Sequence, residues 1–301
     1  MILVTGSEGL IGQALTRAIE AAGGAVRRFD IRRTADEDIR SRDAVAGALD
    51  GVEGVVQLAA VWRVVWGERD PTLCRAVNVD ALRSLIGLLR SRTPSPWLLF
   101  ASSREVYGNR PGGAVHEDDL LQPLSVYART KTDGEALAAG GAAAGLVANI
   151  CRFSSVYGSP DDHADRVVMA FANAALEGGT LRLEGGGNTF DFTEVNDVVR
   201  GLVRLVERCR RGDRLPPIHF ASGKGTTLQR LAELAAVRVL APVSIVEAPP
   251  RSFDVAHFVG DPSRAAELLG WRSEVAVEDG LADLMDRLAA LRAAVTEPDA
   301  A

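Results

Sequence analysis

The sequence is poor in the residues that form disulfides and metal centres. Three cysteines and four histidines occur among its 301 residues, and neither set contains a CxxC pair or another spacing typical of metal ligands. We therefore expect no disulfide framework and no metal site, and a reducing cytoplasm is the simplest location for such a chain. The residues are Cys74, Cys151, Cys209, His116, His163, His219 and His257.

A surplus of positive charge is also missing. Lys and Arg number 34 against 40 Asp and Glu, which gives a net charge of −6. General binding of nucleic acid requires clustered cations that neutralise phosphates, so the composition argues against that class of partner. An anionic ligand must therefore be held by single arginines or by the N-termini of helices.

Long apolar runs are absent as well. No uncharged stretch is long enough to cross a bilayer. The chain opens with a short apolar strand and lacks the basic region, long apolar core and cleavage site of a signal peptide. We expect a soluble intracellular protein without a membrane partner.

The sequence does contain a regular alternation of two patterns. Short apolar runs alternate with segments in which apolar residues recur every three or four positions, as in amphipathic helices. This alternation predicts βαβ units and a parallel sheet covered by helices on both faces. Strands are expected at 2–4, 25–30, 55–59, 97–101, 146–153 and 218–221, and helices at 10–22, 42–50, 72–92 and 125–144.

The first expected strand leads directly into a glycine-rich segment, TGSEGLIG at positions 5–12. Gly6 permits a tight turn, Gly9 lets the backbone approach a pyrophosphate, and Gly12 lets the following helix press on the strand. The N-terminus of that helix attracts phosphate charge. A glycine triplet between a strand and a helix predicts a dinucleotide-binding site.

Asp30 ends the second expected strand. Its carboxylate is placed to accept hydrogen bonds from the ribose hydroxyls of adenosine. It would repel a 2′-phosphate and therefore favours NAD over NADP, although Arg32 and Arg33 follow closely and weaken that preference.

Beyond Phe153 the alternation becomes irregular. We expect loops at 155–162 and at the glycine cluster 185–187, and a turn at 213–217. The predicted architecture is a doubly wound, parallel Rossmann sheet with a smaller C-terminal substrate-binding lobe. The NAD-binding domain would comprise 1–153 and 188–221, and the lobe would comprise 154–187 and 222–301.

Tyr127 and Lys131 stand four residues apart in an expected helix, which puts both on one face. An unperturbed tyrosine has a pKa of ~10, too high for a base at neutral pH. A nearby ammonium and the positive ring of an oxidised nicotinamide lower that pKa, so Tyr127 could take the proton of an alcohol during its oxidation. Ser102 and Ser103 follow the strand at 97–101, at the sheet edge where open α/β folds bind ligands.

These segments resemble the extended short-chain dehydrogenase/reductase family, in its NAD-dependent sugar epimerase/dehydratase branch. The resemblance extends along nearly the whole chain. It is carried by TGSEGLIG (5–12), Asp38 and Ile39 at the adenine contact, LAA (58–60) as the fourth-strand signature, Asn78 in the central helix, SSREVYG (102–108), YARTK (127–131), RFSSVYG (152–158), DF (191–192), VNDV (195–198) and LGW (269–271).

The resemblance implies roles for individual residues. Ser103 would hydrogen-bond the reacting oxygen, Tyr127 would be the base, and Lys131 would orient the cofactor. The predicted cofactor-binding residues are Gly6, Gly9, Leu10, Ile11, Gly12, Asp30, Ile31, Arg32, Asp38, Ile39, Leu58, Ala59, Ala60, Asn78, Ala101, Ser102, Tyr127 and Lys131. The predicted substrate-binding residues are Trp62, Ser103, Arg104, Ser155, Phe190 and Arg251.

Glu105 precedes VYG, as a glutamate does in the 4,6-dehydratases and the decarboxylase-like members. In dehydratases this glutamate moves the C5 proton, because a transient ketone makes that carbon acidic. The acid that precedes it in nucleotide-sugar dehydratases is Arg104 here, so the dehydratase pattern is incomplete. Glu105 is either a second catalytic acid/base or a carboxylate paired with Arg104.

Two family positions that hold a nucleotide diphosphate are altered. The asparagine before the second VYG is Ser155, and the arginine of the RDF motif is Phe190, whereas Arg251 matches a late phosphate-binding arginine. Losing a bidentate arginine removes a strong phosphate contact. Either another basic residue substitutes for it, or the substrate is not an ordinary nucleotide sugar.

The loop after the strand at 55–59 contains two tryptophans four residues apart. Trp62 and Trp66 either stack on a sugar or base, with Arg63 reaching an anion, or anchor their loop to a neighbouring segment. The second interpretation is favoured, because buried indoles more often pack against other side chains.

The leading hypothesis is an NAD-dependent nucleotide-sugar epimerase or dehydratase that works through a transient keto intermediate. One alternative is a net dehydrogenase or ketoreductase acting on a non-nucleotide sugar or polyol. Another is a non-catalytic NAD-binding sensor, which the presence of Ser103, Tyr127 and Lys131 disfavours. The resemblance also implies a homodimer formed through the helices expected at 72–92 and 125–144.

Overall fold

The computed structural model of the protein describes residues 1–110, 112–240, 242–249 and 255–296. The strands are β1 (Ile2–Thr5), β2 (Val26–Phe29), β3 (Gly54–Gln57), β4 (Trp97–Ser103), β5 (Ala148–Phe153), β6 (Ser155–Tyr157), β7 (Thr180–Glu184), β8 (Thr189–Glu194), β9 (Ile218–Phe220), β10 (Gly225–Thr227), β11 (Ser244–Ala248) and β12 (His257–Phe258). The helices are α1 (Leu10–Ala21), α2 (Arg42–Ala48), α3 (Val64–Arg69), α4 (Pro71–Arg75), α5 (Ala81–Arg90), α6 (Val126–Ala143), α7 (Val167–Leu176), α8 (Val195–Arg210), α9 (Leu228–Ala236), α10 (Ser263–Leu269) and α11 (Val277–Thr296).

The larger sheet has the strand order β2-β1-β3-β4-β5-β9, and every neighbouring pair in it is parallel. The order reverses between β1 and β3, and ligands of open α/β sheets bind in the crevice at such a reversal. The LAA segment at 58–60 follows the third strand of this chain, not a fourth.

Apolar side chains cover both faces of the larger sheet. On one face Val4 and Leu99 pack with Leu15 of α1 and Leu202 of α8. On the other face Leu3 packs in a separate cluster with residues of α2, α5 and α6. Because successive strand residues point to opposite faces, this near-continuous apolar pattern is what a sheet covered on both sides requires. The predicted doubly wound sheet is confirmed.

A second, smaller sheet forms around β8, which pairs with β6, β10 and β12. Residues 155–157, which were expected in a loop, form β6 instead. β8 falls within 188–221, a range that was predicted to belong to the NAD-binding domain. Phe190 and Phe192 of β8 pack instead with the apolar residues of α7, α9 and α11, so burial of these two rings assigns the strand to the smaller sheet.

The C-terminal part of the chain packs in the apolar clusters of both sheets. The segment 222–301 was assigned to the lobe as a whole. However, α10 and Trp271 pack into the cluster that covers the larger sheet, where the Trp271 ring lies 5.0 Å from the ring of Phe220. The division into two functional lobes therefore remains a prediction whose boundaries need to follow these contacts.

The single helix expected over 72–92 is interrupted. A π-helical turn at Ala76–Asp80 separates α4 from α5, and such turns often occur near functional sites. The turn contains Asn78, whose side-chain oxygen accepts a hydrogen bond from the backbone N–H of Val61 at 2.8 Å. Its amide donates to Oγ1 of Thr130 at 2.9 Å. Asn78 thus joins the loop after β3 to α6.

Candidate active site

A cleft of about 1140 Å³ opens at the carboxyl ends of β1, β3 and β4 and extends to the smaller sheet. Pockets for one small ligand span roughly 300–1,000 Å³, so this cleft is larger than the usual site for a single small molecule. Nearly all the site residues expected from the sequence line it. Asn78 is not among them: it is 4% exposed and bonded to protein atoms, which gives it a positioning role, and its expected contact with the cofactor stays a prediction. Arg251 lies outside the described residues.

The glycine-rich segment forms a tight cradle at one end of the cleft. Gly6 has φ +69°, and a Cβ there would lie 2.7 Å from the backbone nitrogen of Ala59. A Cβ on Gly12 would lie 2.2 Å from the carbonyl oxygen of Gly6. Helix α1 begins after Gly9, and no side chain among the described residues caps it by a hydrogen bond, so its N-terminal dipole is directed at the cleft. These positions fit a pyrophosphate.

Asp30 is held rigidly beside this cradle. Its carboxylate accepts backbone N–H groups of Glu8 at 2.9 Å and of Arg32 at 2.8 Å, and Nε of Arg32 lies 3.6 Å from it. Arg33 pairs with Glu37 at 3.3 Å. Both arginines that left the choice of cofactor open therefore face carboxylates, which favours ribose hydroxyls over a 2′-phosphate at this position.

The N-terminus of α6 brings the expected base and ammonium to the cleft. Ser125 caps the helix by accepting the N–H of Ala128 at 3.0 Å, which places Tyr127 in the first turn and Lys131 one turn later. A Cβ on Gly134 would lie 2.4 Å from the Phe100 ring, so only glycine lets α6 lie this close to β4. Nζ of Lys131 donates to the carbonyl oxygen of Ala101 at 2.7 Å and lies 5.8 Å from the centre of the Tyr127 ring.

Burial controls the titration of both groups. It raises the pKa of Tyr127 above its usual value, while a hydrogen bond from Ser103 lowers that pKa and the charge of Glu105 raises it. Burial also lowers the pKa of Lys131 to about 8. In the protein without cofactor, desolvation of the phenol is the largest influence on that pKa. The expected lowering of the Tyr127 pKa by Lys131 together with the positive ring of oxidised nicotinamide stays a prediction.

Arg104 and Glu105 lie at the other end of the cleft, directly after β4. Nη2 of Arg104 is 3.0 Å from Oε1 of Glu105, which confirms the ion pair that was one of the two interpretations of Glu105. The guanidinium carbon lies 4.5 Å from the centre of the Phe190 ring. Ser155, at the start of β6, lines the same region.

Trp62 and Trp66 form an aromatic cluster with His163. The His163 ring lies 5.0 Å from Trp62 and 5.8 Å from Trp66, and the two indoles are 5.5 Å apart. Arg63 forms an ion pair with Asp165. The cluster thus anchors the loop after β3 to the segment before α7, which was the favoured interpretation, and it also lines the cleft.

Sequence reasoning missed the partners in this second segment. His163, Asp165 and Arg166 lie in DDHADR (161–166), part of which was interpreted only as a loop. Its one signal is a high density of charge directly after the second VYG. No spacing rule connects that segment with a loop about a hundred residues earlier.

A buried ion pair between α6 and β5 supports the end of β4. The Arg152 guanidinium donates to both carboxylate oxygens of Glu135, at 2.8 and 2.6 Å, and Glu135 also accepts from the hydroxyl of Ser102. Arg152 donates further to the hydroxyl of Tyr107. Ser102 and Tyr107 flank the catalytic segment, so this network fixes both of its ends.

The described part of the chain contains no group of three or more His, Cys, Asp or Glu side chains arranged to hold a metal ion. It also contains no helix that is both long and apolar enough to span a membrane.

The chain resembles known proteins along most of its length. The family model described as "NAD dependent epimerase/dehydratase family" matches residues 2–248. The chain is 30% identical over 312 residues to the UDP-glucose 4-epimerase of Mycolicibacterium smegmatis, covering 94% of this chain and 97% of that protein.

Solved structures give the same result. The complex of MoeE5 with UDP-glucose and NAD has a TM-score of 0.88 at 27% identity and covers 98% of this chain and 99% of that one. The complex of MoeE5 with UDP-glucuronic acid and NAD has a TM-score of 0.85 at 27% identity and covers 95% and 97%. The predicted Rossmann fold, the dependence on NAD and the enzyme class are confirmed. The chain belongs to the NAD dependent epimerase/dehydratase family.

Proposed function

We propose that the protein is a nucleotide-sugar epimerase that inverts a secondary alcohol of the sugar through a transient ketone. The observation that carries this proposal is the convergence of Ser103, Tyr127 and Lys131 in the cleft that also contains the glycine cradle. The cradle accounts for the cofactor, and the three side chains account for proton transfer at an alcohol carbon.

The cofactor end of the cleft fits NAD. Gly6 and Gly12 leave no room for a side chain, the N-terminus of α1 would receive the pyrophosphate, and Asp30 would accept the ribose hydroxyls. NAD held there would supply the two-electron oxidation of an alcohol, the reverse reduction, and the positive charge of its oxidised ring.

The chain's own residues then handle the proton and the oxygen. Tyr127 takes the proton of the reacting hydroxyl and returns it when the ketone is reduced from the other face. Ser103 holds the reacting oxygen by a hydrogen bond. Lys131, bonded to Ala101, provides positive charge on the side of the phenol that faces the sheet.

The pair formed by Arg104 and Glu105 favours epimerisation over loss of water. Elimination needs an acid that protonates the departing hydroxyl, and an arginine side chain does not serve as such an acid in proteins. Dehydration is the second candidate, because Glu105 is only 8% exposed and close enough to Tyr127 to raise its pKa. A carboxylate in that position can move a proton next to a ketone.

The test combines product analysis with substitution of the base. NAD-loaded enzyme given nucleotide sugars is expected to produce the epimer without net change in absorbance of the reduced nicotinamide. Tyr127→Phe should lower kcat by about 10²- to 10⁴-fold while NAD still binds. The matched control is Tyr157→Phe, since that ring packs against Phe192 at 6.3 Å and its hydroxyl lies against Gly280.

Other outcomes separate the alternatives. Stoichiometric formation of reduced nicotinamide would indicate a net dehydrogenase, and a dehydrated keto-sugar would indicate the second candidate. Full activity in Tyr127→Phe would contradict the assignment of the base.

The proposal extends to assembly and location. A homodimer through α5 and α6 rests on the family resemblance, and solution scattering that gave the mass of a monomer would contradict it. A cytoplasmic location is supported by three buried cysteines that form no disulfide in the described part of the chain.

A further inference from the structure

The guanidinium of Arg104 is incompletely satisfied. Its Nη2 is paired with Glu105 at 3.0 Å, and one of its faces lies on the Phe190 ring at 4.5 Å. Its Nη1 is buried and has no hydrogen-bond partner among the residues that the structure describes. The side chain as a whole is only 14% exposed, so water does not readily compensate.

A buried N–H without a partner is costly, and one on a charged group more so. Arg104 lines the cleft, so a ligand can supply the missing acceptor. Guanidinium has five donors in a planar fork, and the carboxylate of Glu105 occupies only one edge. The remaining edge matches an anionic group with two oxygens.

The position of Arg104 decides which part of a substrate this anion belongs to. Arg104 directly follows Ser103, the hydroxyl expected at the reacting oxygen. Its partner Glu105 acts electrostatically on Tyr127, as does the cation of Arg166. Because Arg104 adjoins Ser103 and both line the same cleft as Arg166, an anion bound by Arg104 would lie near the reacting end of the substrate, on the sugar.

We propose that Arg104 binds a carboxylate attached to C5 of the sugar, so that the substrate is a nucleotide-linked uronic acid and not a neutral hexose. This inference rests on the proposed function and deepens it. The stacking of the guanidinium on Phe190 explains the exchange of the family's arginine at position 190, because an aromatic ring there gives Arg104 a flat support.

The experiment compares two probes, UDP-glucuronic acid and UDP-glucose, that differ only at C6. Wild-type enzyme should have the higher kcat/KM with UDP-glucuronic acid. Arg104→Gln should lower kcat/KM for UDP-glucuronic acid by about 10- to 100-fold. It should change kcat/KM for UDP-glucose by less than about threefold. Arg104→Lys should retain part of the preference, since an ammonium keeps the charge but not the fork.

Arg211→Gln is the matched control, because Arg211 is exposed at the end of α8 and should leave the ratio unchanged. An equal loss on both probes in Arg104→Gln would assign Arg104 to the diphosphate and overturn the proposal. A wild-type preference for UDP-glucose would overturn it as well.

Calorimetric binding to the Tyr127→Phe protein separates this inference from the proposed reaction. If no nucleotide sugar is turned over, yet UDP-glucuronic acid binds more tightly than UDP-glucose and loses that advantage in Tyr127→Phe/Arg104→Gln, the reaction is wrong and the carboxylate site stands. Equal affinities for the two probes would reject the carboxylate site whatever the turnover.

Discussion

The two halves of the cleft are built in different ways. The cofactor half, centred on Gly6, Gly12 and Asp30, is formed by backbone geometry within three neighbouring loops. The sugar half, centred on Arg63 and Arg104, is formed by side chains from remote segments: Arg63 pairs with Asp165, 102 residues away. The first half tolerates no added atom, whereas the second depends on ion pairs and ring contacts that can be exchanged one at a time.

Residues at the end of β4 belong to both halves of the cleft. A substitution that breaks the ion pair supporting β4 should therefore weaken ligand binding in both halves. Glu135→Gln leaves the Arg152 guanidinium, 5% exposed, without its charged partner. Breaking a buried pair in this way costs about 3–5 kcal/mol, so the free energy of unfolding should fall by that amount and both ligands should bind more weakly. Urea unfolding of the wild-type and variant proteins measures the fall in the free energy of unfolding.

The control for this prediction is Glu207→Gln. Glu207 pairs with Arg210 at 2.6 Å but is 49% exposed, so the change should stay within about 0.5 kcal/mol. Equal stabilities of the two variants would show that the pair of Arg152 and Glu135 does not support the site.

Lys131 lines the cleft, and its burial predicts that the free energy of unfolding depends on pH. Its pKa is about 8 in the folded protein against a usual 10.5. Between these values the unfolded chain binds more protons, so the free energy of unfolding of the protein without ligand should rise with pH. In Lys131→Met this increase of the free energy of unfolding with pH, about 2–3 kcal/mol, should be absent. Parallel stability curves for the two proteins from pH 7 to 10.5 would contradict this.

The cofactor half alone should respond to one added methyl group. Gly12→Ala places a Cβ 2.2 Å from the Gly6 carbonyl oxygen, and relief of such overlap costs about 1–3 kcal/mol. NAD should therefore bind about 10- to 100-fold more weakly, with little change in the affinity for UDP. Fluorescence titration gives both constants.

Gly47→Ala is the matched control, since Gly47 lies within α2 and a Cβ there meets no atom within 4 Å. It should leave NAD binding unchanged and raise the free energy of unfolding by up to about 1 kcal/mol. Loss of UDP binding in Gly12→Ala would show that the two halves are not independent.

The same contrast explains what the sequence could predict. The glycine cradle, Asp30 and the pair Tyr127 and Lys131 all lie where they were expected, because a turn or one helical repeat relates the members of each set. Burial at Tyr127 was not predictable in the same way, since the pKa of a phenol depends on every segment packed around it.

The contacts that the sequence could not predict join segments without a local relation. The pairing of β6 with β8 involves three residues in each strand, too few to produce a periodic pattern. The π-helical turn that directs Asn78 inward differs from an α-helix by one inserted residue and leaves the spacing of apolar residues nearly intact. The position of Arg104 on Phe190 depends on how two sheets meet.

The smallest effect is expected in the sugar half. Asp165→Asn removes the ion pair with Arg63 but keeps the cation–π contacts of Arg63 with Trp62 and Trp66, each 5.5 Å long. Because Asp165 is 62% exposed, the pair contributes less than about 1 kcal/mol. The KM for a nucleotide sugar should rise about two- to fivefold while the affinity for NAD stays constant.

Asp133→Asn is the comparison variant for this prediction. Asp133 pairs with Arg75 at 3.1 Å, and both side chains are about half exposed, so the same loss of charge occurs away from the cleft. If Asp165→Asn weakened NAD binding as much as sugar binding, the loop after β3 would transmit changes between the halves. The cleft would then behave as one unit whose two ends differ only in how the chain assembles them.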